Sequence, residues 1–509
     1  MKNNFEIFFN ILLITILILN ISCYIKLELQ KDSFENIKPF EETHLEFSNL
    51  IKNLLLNEFK TYIYIGNPSQ KIDLFFSSNK SNLIFKKKEN KNLNIYSPSN
   101  SSSFKILENS KFTDKSVIDL IPSKDIISFD FYTFYNGKEK KIKALNKEIL
   151  FYINNSINSN LVGLLGLRPN YIDEDEGNEK NLDIIPSFLS QLKKYDIIYN
   201  FKWFINLEKN KNELIFGLSP HEYNKNIFNE NQIVNLPAIP FKSRLTHKMI
   251  FNWNFRISKM YVEFNNNRNN TLIDQKEEMS IDLDYNSELI ISIQKYWAYI
   301  NSVLFQEYID NEKCFINSTN NIYNNREQLD SKYYYIYCNY EYKDELKNNF
   351  GNIMIECQEC NYTFKLTFDD LMKPIKVINN KGKEEMKLLF LVIFNFNTFS
   401  VHHYHRWIMG RPFLKKYQFY FEQNSKMIYF YKKDNSVNYE NKSTIKNNYL
   451  YFDYKIFIII LLSIFMIFVF LMFYSVIKRK VVKIKIKEKN KKDEFEMDDY
   501  KELIDKEKE

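Results

Sequence analysis

Glycine is scarce in this chain, nine residues in 509. No Gly-rich phosphate loop and no G-x-S-x-G turn occurs, which sets aside P-loop nucleotide binding and hydrolases built on a nucleophile elbow. Cysteine is limited to five residues. One Cys-x-x-Cys is present, Cys357 and Cys360, but no second zinc half-site follows it and no helix start is at hand to acidify a thiol. Histidine numbers six. His402, His403 and His405 cluster ahead of Trp407 without an acidic partner pattern, so no metal and no cofactor is expected. Charge of one sign is also missing. The formal net charge of +7 is small for the length, and no basic patch interleaved with aromatics and no known nucleic-acid-binding module is present, so no nucleic-acid partner is expected. No short-period repeat is visible.

Long apolar runs are confined to two places, one at each end. Residues 8–22 (FFNILLITILILNIS) follow Lys2 and end at Ser22, with Cys23 next. A positive start, a short apolar stretch and small residues at its end make a signal peptide over residues 1–23. Residues 456–477 are different, because they carry no charge over 22 positions. A helix rises about 1.5 Å per residue, so this stretch spans a hydrocarbon core of about 30 Å. Tyr449, Tyr451 and Tyr454 stand at one boundary and Lys478, Arg479 and Lys480 at the other. Residues 478–492 hold nine Lys/Arg and one Glu, which places this side in the cytosol and makes a single-pass type I membrane protein. The rest of the tail, 493–509, carries nine acidic and three basic groups and reads as a solvated stretch.

Between these ends lie about 430 residues, more than one simple core, which calls for two lobes. Asn-x-Ser/Thr sequences stand at Asn79, Asn100, Asn154, Asn269, Asn317, Asn361 and Asn441, and in a lumenal protein some carry glycans. Four cysteines remain after the signal, Cys314, Cys338, Cys357 and Cys360. They allow three connectivities, of which Cys314–Cys338 with Cys357–Cys360 is preferred in an oxidising lumen.

Short runs rich in Ile, Tyr, Phe and Val recur between clusters of Asn, Ser, Asp and Lys. Strands are expected at 61–65, 71–76, 81–86, 126–135, 201–207, 213–217, 280–283 and 417–421. Helices are few: 186–194, 292–305 and 411–416. The polar stretches 87–103, 171–181, 264–279 and 315–331 read as surface loops. The expectation is an all-β, two-lobed protein.

Residues 62–85 read YIYIGNPSQKIDLFFSSNKSNLIF. This resembles the opening of pepsin-like aspartic proteases, where I-G-x-P-x-Q leads into a strand, two apolar residues, D-T-G-S and S-N-L. Ile65, Gly66, Pro68, Gln70, Phe75-Phe76 and Ser81-Asn82-Leu83 match. Ser77-Ser78-Asn79-Lys80 stands where D-T-G-S is expected. The likeness continues in order. Gly163 to Leu167 and Trp407-Ile408-Met409-Gly410 resemble the two apolar-apolar-Gly elements, through Gly166 and Gly410. Trp253-Asn254-Phe255 resembles the start of the second lobe, and Phe413 to Tyr431 the terminal strands. Membrane-anchored, plasmepsin-like members of the family fit the C-terminal span.

The resemblance implies a bilobal double-ψ fold with an N-terminal lobe at 58–240 and a C-terminal lobe at 241–433. A prosegment-like region (24–57) precedes them, and a stalk (434–455), the span (456–477) and the tail (478–509) follow. It also implies a reaction: two carboxylates, one per lobe, share a proton and activate a water. That pair is broken here. Ser77 takes the first aspartate's place, and a hydroxyl does not ionise near neutral pH. Asp73, four residues earlier, falls within the preceding strand. Residues 280–289 read SIDLDYNSEL, where alternation of Ile281 and Leu283 puts Asp284 at the second catalytic position. Asp282 is the competing register. Tyr285, Asn286 and Ser287 then replace Thr, Gly and Thr. Counting from Asp130 puts Ile118 where the flap tyrosine stands. The expected protein is therefore a pseudoprotease that binds a peptide or protein ligand in its cleft. The alternatives are a divergent endopeptidase using Asp284, and a surface glycoprotein or adhesin reusing the fold.

Overall fold

The computed structural model describes residues 23–30, 37–77, 83–87, 94–107, 120–135, 138–154, 161–168, 186–207, 212–242, 249–264, 269–270, 279–324, 329–396 and 406–432, with 473, 474 and 477 beyond them. The chain divides into two compact units, Met1–Asp434 and Asn435–Glu509. In the second unit Phe473, Tyr474 and Ile477 are helical and exposed. Among the described residues no helix is long and apolar enough to cross a membrane. Most of residues 456–477, and all of the expected signal peptide 1–23 except Cys23, lie outside the described residues.

The first unit is mostly β-sheet, arranged in several sheets. Strand β1 (Cys23–Leu29) buries Tyr24 and Ile25 between two later strands. Helix α1 (His44–Leu55) follows. Thr43 caps it by accepting from the Glu46 N–H, and Phe47, Leu50, Ile51, Leu54 and Leu55 form its buried stripe at helical spacing. Each of those side chains contributes about 1.5–3 kcal/mol on burial. Next come β2 (Lys60–Ile65), β3 (Gln70–Ser77) and β4 (Leu83–Lys87). A long hairpin of β5 (Leu120–Tyr135) and β6 (Lys138–Asn154) follows, and then β7 (Leu161–Gly166). Helix α2 (Phe188–Lys194) starts at the Ser187 cap, and β8 (Lys202–Leu207) and β9 (Asn212–Phe216) complete this part.

The later part repeats the strand logic. It contains β10 (Asn254–Ile257), β11 (Met279–Leu283) and β12 (Ile290–Ser292), then helical turns over residues 294–310. Strands β13 (Cys314–Ser318), β14 (Tyr333–Asn339), β15 (Asn352–Cys357), β16 (Tyr362–Leu366), β17 (Val392–Asn395) and β18 (Arg406–Met409) follow. The chain closes with helix α3 (Arg411–Lys416), β19 (Phe419–Glu422) and β20 (Met427–Tyr431).

Six strands of each part pair in the same way. In the first, β3 runs antiparallel to β2 and parallel to β7, β4 lies antiparallel to β7 and parallel to β6, and β6 is antiparallel to β5. In the second, β11 runs antiparallel to β10 and parallel to β18, β12 lies antiparallel to β18 and parallel to β17, and β17 is antiparallel to β14. Pairing of β5 with β2 closes the first set into a ring. A common aromatic and aliphatic core runs beneath both sets, from Phe76 and Trp203 to Trp253, Trp407 and Phe421.

Two sequence expectations need correction. The stretch 315–331 is not simply loop: β13 and two short strands, Ile322–Asn324 and Leu329–Ser331, occupy much of it. Its isolated Ile and Leu residues supply the apolar positions that the surrounding Asn and Ser obscure. The second correction concerns cysteine. Cys314 and Cys338 are directly paired residues of β13 and β14 and form a disulfide. Cys357 and Cys360 are free thiols, as is Cys23. Pairing of Cys357 with Tyr362 leaves Cys360 in a four-residue turn, its Sγ 3.6 Å from the carbonyl oxygen of Cys357.

Candidate functional site

Strands β3 and β11 hold equivalent places in the two sets, and counting along them aligns the residues that follow. Ser77, the last residue of β3, pairs with Gly166. Leu283, the last of β11, pairs with Met409, so Asp284 comes beside Gly410, and its N–H donates to the Met409 carbonyl at 3.0 Å. The returning strands agree. Ile84 pairs with Leu164, two residues before Gly166, and Ile291 pairs with Ile408, two residues before Gly410. The interval from Ser77 to Ile84 therefore equals that from Asp284 to Ile291. Ser77 corresponds to Asp284, and Asn79 to Asn286. Ser78 and Asn79 lie outside the described residues, as do Ile118 and His402, His403 and His405.

Asp282 is set apart from this correspondence by its place inside β11, where it pairs with Asn254 and Ile408. Ile281 and Leu283 are buried in the core, while Asp282 faces the other way and forms an ion pair with Arg406. Asp284 begins the turn and is 4% exposed. Its Oδ1 accepts from the Asn286 N–H at 3.0 Å, the local bond that makes aspartate a good turn starter. Asn286 then reaches across the molecule, its Nδ2 donating to the Phe76 carbonyl at 2.9 Å. Phe76 immediately precedes Ser77, so this bond ties the two equivalent loops together. A carbonyl only accepts, which fixes the orientation of the amide. A second tie lies nearby: Trp253 Nε1 donates to the Leu167 carbonyl at 2.7 Å.

Ser287 and Gly410 shape the loop. The Ser287 Oγ donates to the Leu289 carbonyl and accepts from the Leu289 N–H, both at 3.0 Å. A Cβ at Gly410 would stand 2.1 Å from the Leu289 oxygen, so only glycine allows β18 to pass this close. Tyr285 fills the floor with its ring against Trp203 and Phe421.

Asp73, the carboxylate nearest to Ser77 along the chain, is engaged elsewhere. It is buried in β3, accepts from the Asn94 N–H and Nδ2 at 3.1 and 2.9 Å, and pairs with Lys60 at 3.2 Å. These partners hold it within the first strand set.

A buried ionic cluster, not foreseen from sequence, supports the loop that begins at Asp284. Arg411 follows Gly410 and is fully buried. Its Nη1 donates to Glu288 Oε1 at 2.8 Å and its Nε to the Tyr285 carbonyl at 2.6 Å. Its Nη2 bonds the Asn57 carbonyl, and the guanidinium stacks 3.8 Å from the Phe59 ring centre. Burial pulls the Arg411 guanidinium down, and the charges of Glu288 and then Asp284 oppose that pull. The Glu288 N–H donates to the Leu54 carbonyl at 2.9 Å. The end of α1 and the residues after it are thus fastened to the loop. The signals for this cluster were an arginine directly after an apolar-apolar-Gly element and a second acidic residue, Glu288, within the short loop that Asp284 opens.

Among the described residues no group of three or more His, Cys, Asp or Glu is placed to hold a metal ion. The arrangement offers one carboxylate, Asp284, at two structurally equivalent positions, held by backbone and amide bonds across the two loops. No protein-family model matches the chain, and no curated protein matches it either.

Proposed function

We propose that this chain is a relative of the pepsin-like aspartic proteases whose two-carboxylate centre has been dismantled, and that it binds peptide or protein ligands between its two strand sets without cleaving them. The observation that carries this reading is the equivalence of Ser77 and Asp284. Each follows a strand that runs parallel to an apolar-Gly element, and only one of the two is a carboxylate. Proton sharing between two like charges needs both, and catalytic groups that act as a unit fail together when one is lost. The kept features are those of shape: the paired loops, the Asn286 and Trp253 ties, and the space-limited Gly410. They suit a rigid cleft in which an extended peptide adds along the strands. The apolar runs at 8–22 and 456–477 support a lumenal or extracellular placement of this part on a single membrane anchor.

The test exposes the purified protein to a mixed peptide library from about pH 4 to 7.5, with and without a statine peptide. The acid end is included because a carboxylate pair keeps its shared proton there. Binding of library members or of the statine peptide without any product is the expected result. Statine-sensitive cleavage that disappears in Asp284→Ala would overturn the proposal.

A further inference from the structure

Of the seven Asn-x-Ser/Thr sequences, three have described side chains: Asn100, Asn317 and Asn361. They differ in what a sugar would have to displace. Asn317 lies inside β13, opposite the fully buried Tyr335, and its Oδ1 accepts from the Ser318 N–H at 2.8 Å. Its Thr319 is buried, with Oγ1 accepting from the Tyr333 N–H at 3.0 Å. Asn361 stands at the end of the four-residue turn joining β15 to β16 and is exposed. Its φ of 48° lies in the left-handed region, which asparagine tolerates better than most residues. The next residue, Tyr362, turns its ring into the core against Phe364 and Phe430.

The same turn holds the two thiols. Cys357 is fully buried and Cys360 partly so. The Cys360 thiol is pushed up by burial and by its hydrogen bond to Cys357, and a thiol kept protonated exchanges slowly. In an oxidising compartment that protection depends on what can approach Cys360. Both neighbours of Cys360, Glu359 and Asn361, are exposed, and Asn361 is the one whose side chain can carry a sugar.

We propose that Asn361 carries an N-linked glycan, and that this glycan covers the turn and shields the Cys360 thiol from exchange. The inference rests on the lumenal placement argued above. The modification forms one bond and breaks one. The Asn361 side-chain nitrogen bonds to the anomeric carbon of a lipid-pyrophosphate-linked oligosaccharide, the bond from that carbon to the pyrophosphate oxygen breaks, and the nitrogen gives up one proton. Transfer precedes folding, so the folded state decides whether the glycan can be kept. An exposed turn accommodates it without loss of a hydrogen bond, whereas β13 at Asn317 does not.

The full chain is translated in the presence of microsomes and tested for protection from added protease. Glycans are then read by endoglycosidase-induced mobility shift and by the mass change that deglycosylation leaves at Asn361. Thr363→Ala removes the acceptor sequence while leaving asparagine in its left-handed turn, so a folding defect at position 361 is not confused with loss of the sugar. Thr363→Ser keeps the sequence. Expected are a protected chain, one glycan fewer in Thr363→Ala, the full number in Thr363→Ser, and a several-fold faster maleimide labelling of Cys360 in Thr363→Ala. A protected chain that is glycosylated elsewhere but not at Asn361 overturns this inference and leaves the lumenal reading standing. A chain that is digested and bears no glycan overturns the lumenal reading and this inference with it. A glycan at Asn361 with unchanged labelling refutes the shielding.

Discussion

Replacing Arg411 by methionine removes the charge and keeps most of the buried volume. In the native protein the guanidinium satisfies Glu288, the Tyr285 carbonyl and the Asn57 carbonyl at once. Glu288 is 3% exposed, and after the change its nearest cation is Lys415 at 3.7 Å. Breaking a buried ion pair from one side costs roughly 3–5 kcal/mol, because the remaining charge stays desolvated. At 1.4 kcal/mol per factor of ten, 4 kcal/mol lowers the folding constant on the order of a thousandfold. Lost carbonyl partners add to this, while the apolar methionine beside Phe59 offsets part of it. The measurement is denaturant unfolding followed by tryptophan fluorescence, since Trp203 and Trp253 lie in the same core. The midpoint should fall at unchanged slope. Glu288→Gln in the Arg411→Met background should restore about 2 kcal/mol or more, a coupling of the size expected for groups in one network. A loss below about 1 kcal/mol in Arg411→Met, or a double variant no more stable than the single one, would refute the view that this ionic cluster supports the Asp284 loop.

Two further outcomes follow from other clusters. Asp125 is fully buried and accepts from Tyr96 OH at 2.6 Å, from the Ile126 N–H at 2.7 Å and from Ser103 Oγ. Asp125→Ala should cost about 3 kcal/mol or more in the same unfolding experiment by leaving those donors unmet. His221 is held between Ser219 Oγ at 3.2 Å and Tyr431 OH at 2.7 Å, with Glu222, Glu230, Lys202 and Lys225 around it. Burial lowers its imidazole below the ordinary 6.5, so the folded state binds fewer protons than the unfolded one. Its contribution is therefore complete above pH 6.5 and is lost as the pH falls through the folded value. The slope of stability against pH below 6.5 should flatten in His221→Gln, and an unchanged slope would show that His221 does not carry it.

Local pattern was enough for much of the architecture. The strands around Tyr62, Phe75, Trp203, Leu214 and Ile281 alternate or run apolar in short bursts between polar clusters, and they form where expected. Helix α3 was legible from Pro412 in its first turn and a basic last turn, and α2 from Pro186 just ahead of its Ser187 cap and a basic last turn. Helix α1 was not foreseen, although Thr43 with Glu46 three residues on is a capping signature and its apolar residues recur at helical spacing. Strand β6 was missed because its lysines and glutamates mask an alternation that only the long pairing with β5 makes useful.

At the candidate site the division is sharper. The sequence by itself determined that a serine and not a carboxylate follows the apolar pair Phe75-Phe76, and that Ile281 and Leu283 alternate with Asp282 and Asp284, because these depend on side-chain identity and two-residue alternation. Only the tertiary structure decided that Ser77 and Asp284 occupy equivalent positions, that Asn286 spans 210 residues to reach Phe76, and that Arg411 joins Glu288 to Asn57. The reason is physical. Alternation is a property of neighbours along the chain, whereas a buried charge or amide takes its partner from whatever the strand pairing brings within about 3 Å, and that pairing is set by burial of the whole core.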